Sequence, residues 1–186
     1  LLKVSADRGD LYSMEKTGRL YYASGDYAEA EKYLKTAVKN DDPELLYMLG
    51  RIYYLGVGVK QDYSRAFELL ARSADRGNID AMVLIGKMYH RGEGFSQDYA
   101  RALQWYRRAA EKGSSEAMYN VGSMYYNGDG VSPDYMEAIQ WFKKSAENGN
   151  IVAMQYVAIM YKEGIGVPKD NVEAAKWRKK VGEARN

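Results

Sequence analysis

The stretch YYNGDGVSPDY, residues 125–135, has the residue types of a loop that could bind a phosphate or a cation. Gly128 and Gly130 flank Asp129. Backbone N–H groups of glycine-rich loops cradle phosphates, and carboxylate oxygens coordinate hard cations. The stretch recurs at a step of 36 residues, at 53–63, 89–99 and 161–171. Whether these copies bind a ligand or only shape a turn decides whether the sequence indicates an enzyme.

We interpret the Gly-x-Gly stretch as a structural turn. A dinucleotide-binding loop needs a third glycine after a strand, whereas every copy here lacks that glycine and follows a helical pattern. The residue between the two glycines is Val57, Glu93, Asp129 or Ile165. Because a cation or phosphate loop would not accept Val and Ile at this place, the glycines are expected for their access to positive φ.

The composition gives little support to other catalytic or metal-binding chemistry. The chain contains one histidine, His90, and no cysteine. This excludes a multi-histidine or thiolate metal site, a cysteine nucleophile and disulfide bonds. The carboxylates fall mostly at helix starts or on solvated helix faces, and no acid–base pair stands out. We therefore predict no catalytic residue, no metal site and no cofactor, and we expect that the protein is not an enzyme.

Charge and hydropathy argue against two further kinds of partner. The formal net charge is +2, from 27 basic and 25 acidic residues, without the basic excess of a general phosphate-backbone binder. No run of about 18 apolar residues is present, so no membrane-spanning helix is expected. We interpret the basic run at 176–180 as a complement to the C-terminal end of a helix dipole. The sequence thus predicts no nucleic acid partner and no membrane insertion.

A 36-residue repeat organises the chain and predicts the elements that carry these residues. Its columns include one of Gly50, Gly86, Gly122 and Ala158, and one of Asp62, Asp98, Asp134 and Asp170. Within each repeat, apolar residues recur at helical spacing, and the aspartate is a good N-cap for a second helix. We therefore predict an all-α fold. It is expected to be an α-solenoid, a right-handed superhelix of stacked antiparallel helix pairs.

The repeat columns divide the chain into six predicted segments. They are the end of a truncated preceding unit at 1–10, a shorter unit at 11–42, repeats at 43–79, 80–115 and 116–151, and a C-terminal capping repeat at 152–186. Because residues 1–10 match the second-helix stretch at 69–78, we expect the natural protein to extend further N-terminal. Arg178 replaces the aromatic residues Tyr106 and Phe142 of its column, which favours a capping role for the last repeat.

The repeat pattern resembles the Sel1-like repeat. The pattern A-x-x-x-(I/V)-G-x-x-Y-x-x-G-x-G-(V/F)-x-x-D-Y-x-x-A-x-x-W-(Y/F)-x-x-(A/S)-A-x-x-G recurs four times, and the shorter unit at 11–42 is similar to the related tetratricopeptide repeat. The resemblance implies an adaptor protein, of a kind that is often bacterial and extracytoplasmic or acts in quality control at the endoplasmic reticulum. Some bacterial members look like immunity proteins that block a neighbour's toxin. The residues themselves do not indicate a compartment, and the resemblance favours the bacterial periplasm or secretion.

The tyrosines divide by column. Tyr21, Tyr53, Tyr89, Tyr125 and Tyr161 form one column that we interpret as core, and Tyr27, Tyr63, Tyr99 and Tyr135 follow the capping aspartate as structural residues. Among the tyrosines outside these columns are Tyr12, Tyr22, Tyr47, Tyr54, Tyr119 and Tyr126. In the resembled families the first helix of each unit lines the concave face. The resemblance therefore implies that these six tyrosines lie on the surface formed by the first helices, which we name the first-helix surface.

We predict a partner-binding groove on the first-helix surface. Its residues are Tyr12, Arg19, Tyr22, Tyr47, Arg51, Tyr54, Lys87, His90, Tyr119 and Tyr126. Tyrosine and arginine often carry interface energy, because they offer large contact area together with hydrogen-bond donors. Arg19, Arg51 and Lys87 predict that the bound segment carries acidic groups or a free carboxylate.

The predicted function is that of a protein–protein interaction scaffold or adaptor whose groove binds a peptide, loop or domain of a partner protein. Two alternatives stand beside it. One is a bacterial immunity or inhibitor protein that blocks a toxin enzyme, and the other is the interaction segment of a longer multidomain protein. The sequence names no partner and gives no oligomeric state.

Overall fold

The structure is a computed structural model that describes residues 2–185, apart from the side chain of Asn40. Its described part contains α-helices and no strand, which confirms the predicted all-α class. The helices are α1 (Leu2–Asp7), α2 (Leu11–Ser24), α3 (Tyr27–Ala37), α4 (Pro43–Leu55), α5 (Tyr63–Asp75), α6 (Ile79–Arg91), α7 (Tyr99–Glu111), α8 (Ser115–Asn127), α9 (Tyr135–Glu147), α10 (Ile151–Glu163) and α11 (Asn171–Glu183). A short 3-10 helix, Val38–Asn40, follows α3.

The helices pack into two compact units. Unit 1 comprises the chain up to Ile85 together with Glu93–Phe95, and unit 2 comprises Gly86–Gly92 together with the residues from Ser96 onward. In unit 1, α2 packs on α3, α3 on α4 and α4 on α5. In unit 2, α8 packs on α9, α9 on α10 and α10 on α11. Each repeat is thus a pair of helices joined by a short turn, and consecutive pairs stack within a unit.

An aspartate begins the second helix of each repeat. The Asp98 carboxylate accepts a hydrogen bond from the Arg101 N–H at 2.9 Å, and the Asp134 carboxylate accepts one from the Glu137 N–H at 3.0 Å. The same cap is present at Asp26, Asp62 and Asp170. These bonds satisfy donors that the first turn of a helix leaves unpaired, so the predicted N-caps are confirmed.

A glycine column lets the two helices of a repeat approach closely. A Cβ atom at Gly86 would lie 2.6 Å from the Tyr106 ring, and one at Gly122 would lie 2.8 Å from the Phe142 ring. The same close approach joins Gly18 to Leu34 and Gly50 to Leu70. Because carbon atoms in contact prefer about 3.5–4.0 Å, a larger residue in this column would force the second helix to move.

The Gly-x-Gly stretch forms the turn between the two helices of a repeat. Gly92 and Gly94 have φ values of 71° and 88°, in the left-handed region that favours glycine. A Cβ atom at Gly94 would also lie 2.6 Å from the Cβ of Tyr63, at the start of α5. The second glycine of the turn therefore packs against the second helix of the preceding repeat, and its recurrence has a structural cause.

The tyrosine column interpreted as core is only partly buried. Tyr53 and Tyr89 are 4% and 8% exposed, whereas Tyr21, Tyr125 and Tyr161 are of intermediate exposure. The hydroxyl of Tyr53 donates to Glu31 at 2.7 Å. A tyrosine at the edge of a core can bury its ring and still give its hydroxyl a polar partner, which explains the difference from a fully buried column.

Candidate partner-binding surface

The predicted partner-binding residues of unit 1 lie on two neighbouring first helices. Helix α2 carries Tyr12, Arg19 and Tyr22, and helix α4 carries Tyr47, Arg51 and Tyr54. Residues three and four apart are neighbours on a helix surface, so the three residues of α4 form one stripe. Tyr12 is 65% exposed, and the other five are of intermediate exposure. Unit 1 thus presents half-buried aromatic and basic side chains along α2 and α4.

Arg51 connects the two helices. Its Nη1 atom donates a hydrogen bond to the Tyr22 hydroxyl oxygen at 2.5 Å, and its guanidinium carbon lies 5.7 Å from the centre of the Tyr22 ring. The hydrogen bond to Tyr22 raises the pKa of Arg51, and burial raises the pKa of Tyr22. No carboxylate oxygen of residues 2–185 lies within 4.0 Å of the Arg51 guanidinium nitrogens. Arg51 is therefore a partly buried cation that the described chain does not neutralise.

Tyr47 stands one helical turn before Arg51. Burial raises the pKa of Tyr47 to about 12. Its hydroxyl makes no hydrogen bond to any other described residue. Tyr47 and Arg51 thus place an O–H donor and several N–H donors on one stretch of α4, and apart from the Tyr22 hydroxyl these donors have no acceptor among residues 2–185.

The other basic residues of the predicted groove have acidic partners of their own. Arg19 Nε lies 3.1 Å from Glu15 Oε1, and Arg19 Nη2 lies 3.4 Å from Asp42 Oδ1. In unit 2, Lys87 Nζ lies 2.6 Å from Glu116 Oε1. The pair with Glu15 lies within α2, whereas the pairs with Asp42 and Glu116 connect neighbouring parts of the repeats. All three reduce the positive charge that Arg19 and Lys87 offer to a partner.

The residue between the two glycines of a turn contacts the first-helix surface of the preceding repeat. In unit 1 the Tyr54 hydroxyl donates to Glu93 at 2.8 Å, and in unit 2 His90 Nε2 lies 2.9 Å from Asp129 Oδ2. Sequence reasoning missed this contact and treated the variable residue of the turn as evidence against a site. A signal was present, since a polar ring precedes an acidic turn residue by the same interval in both pairs.

Each of these first-helix rings also contacts a tyrosine that follows a capping aspartate. The ring centres of Tyr22 and Tyr27 are 5.5 Å apart, and those of Tyr54 and Tyr63 are 5.8 Å apart. In unit 2 the corresponding pairs are His90 with Tyr99 at 5.1 Å and Tyr126 with Tyr135 at 5.2 Å. The tyrosines after the caps therefore border the predicted groove as well as packing the repeat.

Tyr119 and Tyr126 belong to an aromatic cluster in unit 2. The Phe142 ring lies 5.6 Å from Tyr119 and 4.9 Å from Tyr156. Tyr156, on the next first helix, also lies 5.8 Å from Tyr119 and 6.0 Å from Tyr126. Both predicted groove tyrosines thus pack between two consecutive repeats. Their contacts give them a structural role that the column pattern alone did not indicate.

Neither a metal centre nor a membrane span is found in the part of the chain that the structure describes. Residues 2–185 contain no group of three or more His, Cys, Asp or Glu side chains arranged to hold a metal ion. None of the helices in this range is long and apolar enough to cross a bilayer.

Comparisons with known proteins match these features to one repeat family. The family model described as Sel1 repeat matches residues 12–42, 43–78, 79–114, 115–150 and 151–180. Among solved structures, a protective antigen present in uropathogenic Escherichia coli strains, displaying an SLR fold, is 30% identical with a TM-score of 0.88. That match covers 100% of this chain and 40% of the antigen, so the chain spans less than half the length of this relative.

Two further structures extend the comparison. A Sel1 repeat protein from Oxalobacter formigenes is 31% identical with a TM-score of 0.85, over 95% of this chain and 74% of that protein. An immunity protein from Pseudomonas aeruginosa is 15% identical with a TM-score of 0.52, over 90% of this chain and 81% of that protein, and shows the fold alone. With five matched repeats and two relatives at 30% identity or above, the chain belongs to the Sel1 repeat family, a tetratricopeptide-related class of α-solenoids that generally serve as non-catalytic scaffolds for protein interaction.

Proposed function

We propose that this protein is an interaction scaffold that binds a segment of a partner protein on the first-helix surface of unit 1. The observation that carries the proposal is the stripe of Tyr47, Arg51 and Tyr54 on α4, with Tyr22 of α2 beside it. These side chains are half-buried, so their rings are already held by the fold and lose little freedom on binding. They also keep exposed surface, and the Tyr47 hydroxyl and the guanidinium of Arg51 offer donors that have no acceptor among the described residues.

Unit 2 supports the proposal less strongly. Tyr119 and Tyr126 are engaged in the aromatic cluster with Phe142 and Tyr156, and Lys87 and His90 are paired with acidic residues. A partner would have to bind over contacts that the repeats already use. We therefore place the main binding energy on α2 and α4.

The test compares alanine variants in a peptide-binding measurement. A random peptide library displayed on phage is selected on the purified chain, and the selected peptides are titrated against Arg51→Ala, Tyr54→Ala and Tyr126→Ala. We expect about tenfold or larger losses of affinity for the first two, as for interface anchors. Glu68→Gln, at an exposed position on α5, is the control and should bind like the wild type. If all three alanine variants retain affinity at unchanged helix content, the groove proposal is wrong.

The natural partner distinguishes the scaffold from its two alternatives. Affinity capture from the native source, with wild-type and Tyr54→Ala baits compared by mass spectrometry, identifies proteins that need this surface. A tight one-to-one complex that abolishes the activity of a captured enzyme would support the inhibitor alternative. The chain covers 40% of the length of the uropathogenic E. coli antigen. The full-length sequence is therefore the direct test of whether the chain is the interaction segment of a longer multidomain protein.

A further inference from the structure

We infer that Arg51, Tyr47 and Tyr22 form a subsite for a single carboxylate group of the bound segment. We name these three residues the Arg51 subsite. The inference rests on the proposed function, since it specifies the chemistry of the partner segment that the unit 1 surface binds. It narrows the expectation of acidic groups or a free carboxylate to one carboxylate, of an acidic side chain or of a chain terminus, at one place.

The first step is the distribution of charge on the first-helix surface. Arg19 is paired with Glu15 and Asp42, Lys87 with Glu116, and His90 with Asp129. Among the basic residues predicted for the groove, Arg51 alone has no carboxylate within 4.0 Å in the described chain. A partly buried cation without a counter-charge pays a desolvation cost, and a ligand carboxylate that pairs with it recovers that cost.

The second step is the geometry of the donors. Arg51 uses Nη1 for Tyr22 and makes no other hydrogen bond to a described residue, so further N–H donors of its planar guanidinium are open to a ligand. The Tyr47 hydroxyl, one turn away on α4, is also without an acceptor among the described residues. A carboxylate has two acceptor oxygens and accepts several hydrogen bonds at once, which matches this set of donors. Tyr22 acts as a positioning residue, because its hydroxyl holds the guanidinium in place.

The third step is the acidic surroundings, which favour one carboxylate over a more highly charged group. Asp80 and Glu44 are close enough to influence the Tyr47 hydroxyl electrostatically. The Glu44 carboxylate accepts a hydrogen bond from the Asn78 side chain at 3.3 Å. Asp80 occupies the repeat position of Glu116, the partner of Lys87, but makes no ion pair with Arg51. These acids repel a phosphate or an acidic cluster more strongly than one carboxylate.

The experiment uses the same random peptide library, now selected on the wild type, Arg51→Glu and Lys60→Glu. Lys60 is exposed in the turn before α5 and provides a matched charge reversal away from the subsite. We expect wild-type and Lys60→Glu peptides to share one position rich in Asp or Glu, and Arg51→Glu peptides to carry Lys or Arg there. In a selected peptide, that acidic residue is then replaced with its amide. The replacement should weaken binding to the wild type about tenfold or more and leave binding to Arg51→Ala unchanged. The reason is that a charge-assisted hydrogen bond is lost only where Arg51 is present.

Further variants keep the inference falsifiable if Arg51→Glu fails to fold. Arg51→Gln keeps the length of the side chain without its charge and should lose the acidic preference. Asp80→Asn removes a competing anion and should strengthen binding of the acidic peptide by about threefold, the scale of a partly screened charge pair. Tyr22→Phe should weaken binding of the acidic peptide more than binding of its amide counterpart. Without the Tyr22 hydroxyl the Arg51 guanidinium is no longer held in position, and mainly the charge-dependent part of the affinity is lost.

The outcomes separate this inference from the proposed function. The carboxylate subsite would be overturned if the selected peptides depend on Tyr54 but share no acidic position. It would also be overturned if their preference for an acidic residue survives Arg51→Glu. Either result would leave the scaffold proposal standing. Tighter binding of a phosphoserine peptide than of its glutamate counterpart would also overturn the assignment to a carboxylate. Failure of every selected peptide to respond to Tyr54→Ala would reject the scaffold surface itself, and the subsite with it.

Discussion

Arg51 differs from the equivalent basic residues of the other repeats in the group that it contacts. The repeat places a basic residue at this position in the first three repeats, as Arg19, Arg51 and Lys87. Two of these side chains reach acidic residues on a neighbouring helix, whereas Arg51 reaches the hydroxyl of Tyr22. A neutral hydroxyl orients a guanidinium but does not cancel its charge, so we propose that the repeat position that forms ion pairs in two repeats serves recognition in the repeat of Arg51.

Tyr47 provides a residue-scale prediction through its ionisation. Burial raises its pKa to about 12, above the ordinary tyrosine value of about 10. The folded state therefore favours the neutral phenol, and this contribution to stability is complete below about pH 10 and is lost as the pH rises towards 12. We expect Tyr47→Phe to reduce the fall in Tm across this alkaline range.

The control for Tyr47 is Tyr33, whose pKa is also raised to about 12, mainly by a hydrogen bond to Asp7 at 2.6 Å. In a titration followed by phenolate absorbance, Tyr47→Phe and Tyr33→Phe should each remove one late-ionising group. An alkaline titration of Tyr47→Phe that retains as many late-ionising groups as the wild type would contradict the burial of Tyr47.

At the scale of elements, the glycine column determines how closely two helices of a repeat can pack. We expect Gly86→Leu to lower the free energy of unfolding by about 1–3 kcal/mol, because the new side chain overlaps the Tyr106 ring. Gly182→Leu is the matched control, since a Cβ atom at Gly182 meets nothing within 4 Å. Denaturant unfolding measures both variants. Equal stability of Gly86→Leu and the wild type would argue against the close helix packing.

The aspartate caps make a second prediction about elements. Asp134→Ala removes the acceptor of the Glu137 N–H and should cost about 1 kcal/mol, whereas Asp134→Asn keeps an acceptor and should cost much less. Thermal unfolding of the two variants compares them directly. A loss of stability as large for Asp134→Asn as for Asp134→Ala would show that the charge of Asp134, rather than its capping hydrogen bond, stabilises this turn.

At the scale of the whole molecule, a repeat array makes most of its contacts between neighbouring helices, so a local defect should stay local. Gly18→Ala in unit 1 and Gly122→Ala in unit 2 each force a Cβ into a close helix contact. Native-state hydrogen exchange should show the largest loss of protection in the mutated repeat and its sequence neighbours. A uniform loss across the chain in both variants would indicate one cooperative unit instead.

The sequence by itself determined the helix pairs, the aspartate caps and the glycine turns. These features depend on residues close in sequence, such as an N-cap and the N–H three residues later, so a column pattern contains them. It also brought the predicted groove residues onto the first helices. The repeat alignment was sufficient for this, with a step of 32 residues from the shorter unit and 36 thereafter, because equivalent positions of a repeat take equivalent places in its helices.

Only the tertiary structure decided which first-helix residues are occupied by contacts within the protein. Whether Arg19 finds Asp42, whether Tyr156 packs on Tyr119, and whether Arg51 is left with a hydroxyl depend on side chains from different helices. Repeats that share a column still differ in their neighbours, and charge pairing and ring packing act through those neighbours over a few ångströms. The column pattern therefore indicates a surface, and the packing of adjacent helices selects the residues on it that remain available to a partner.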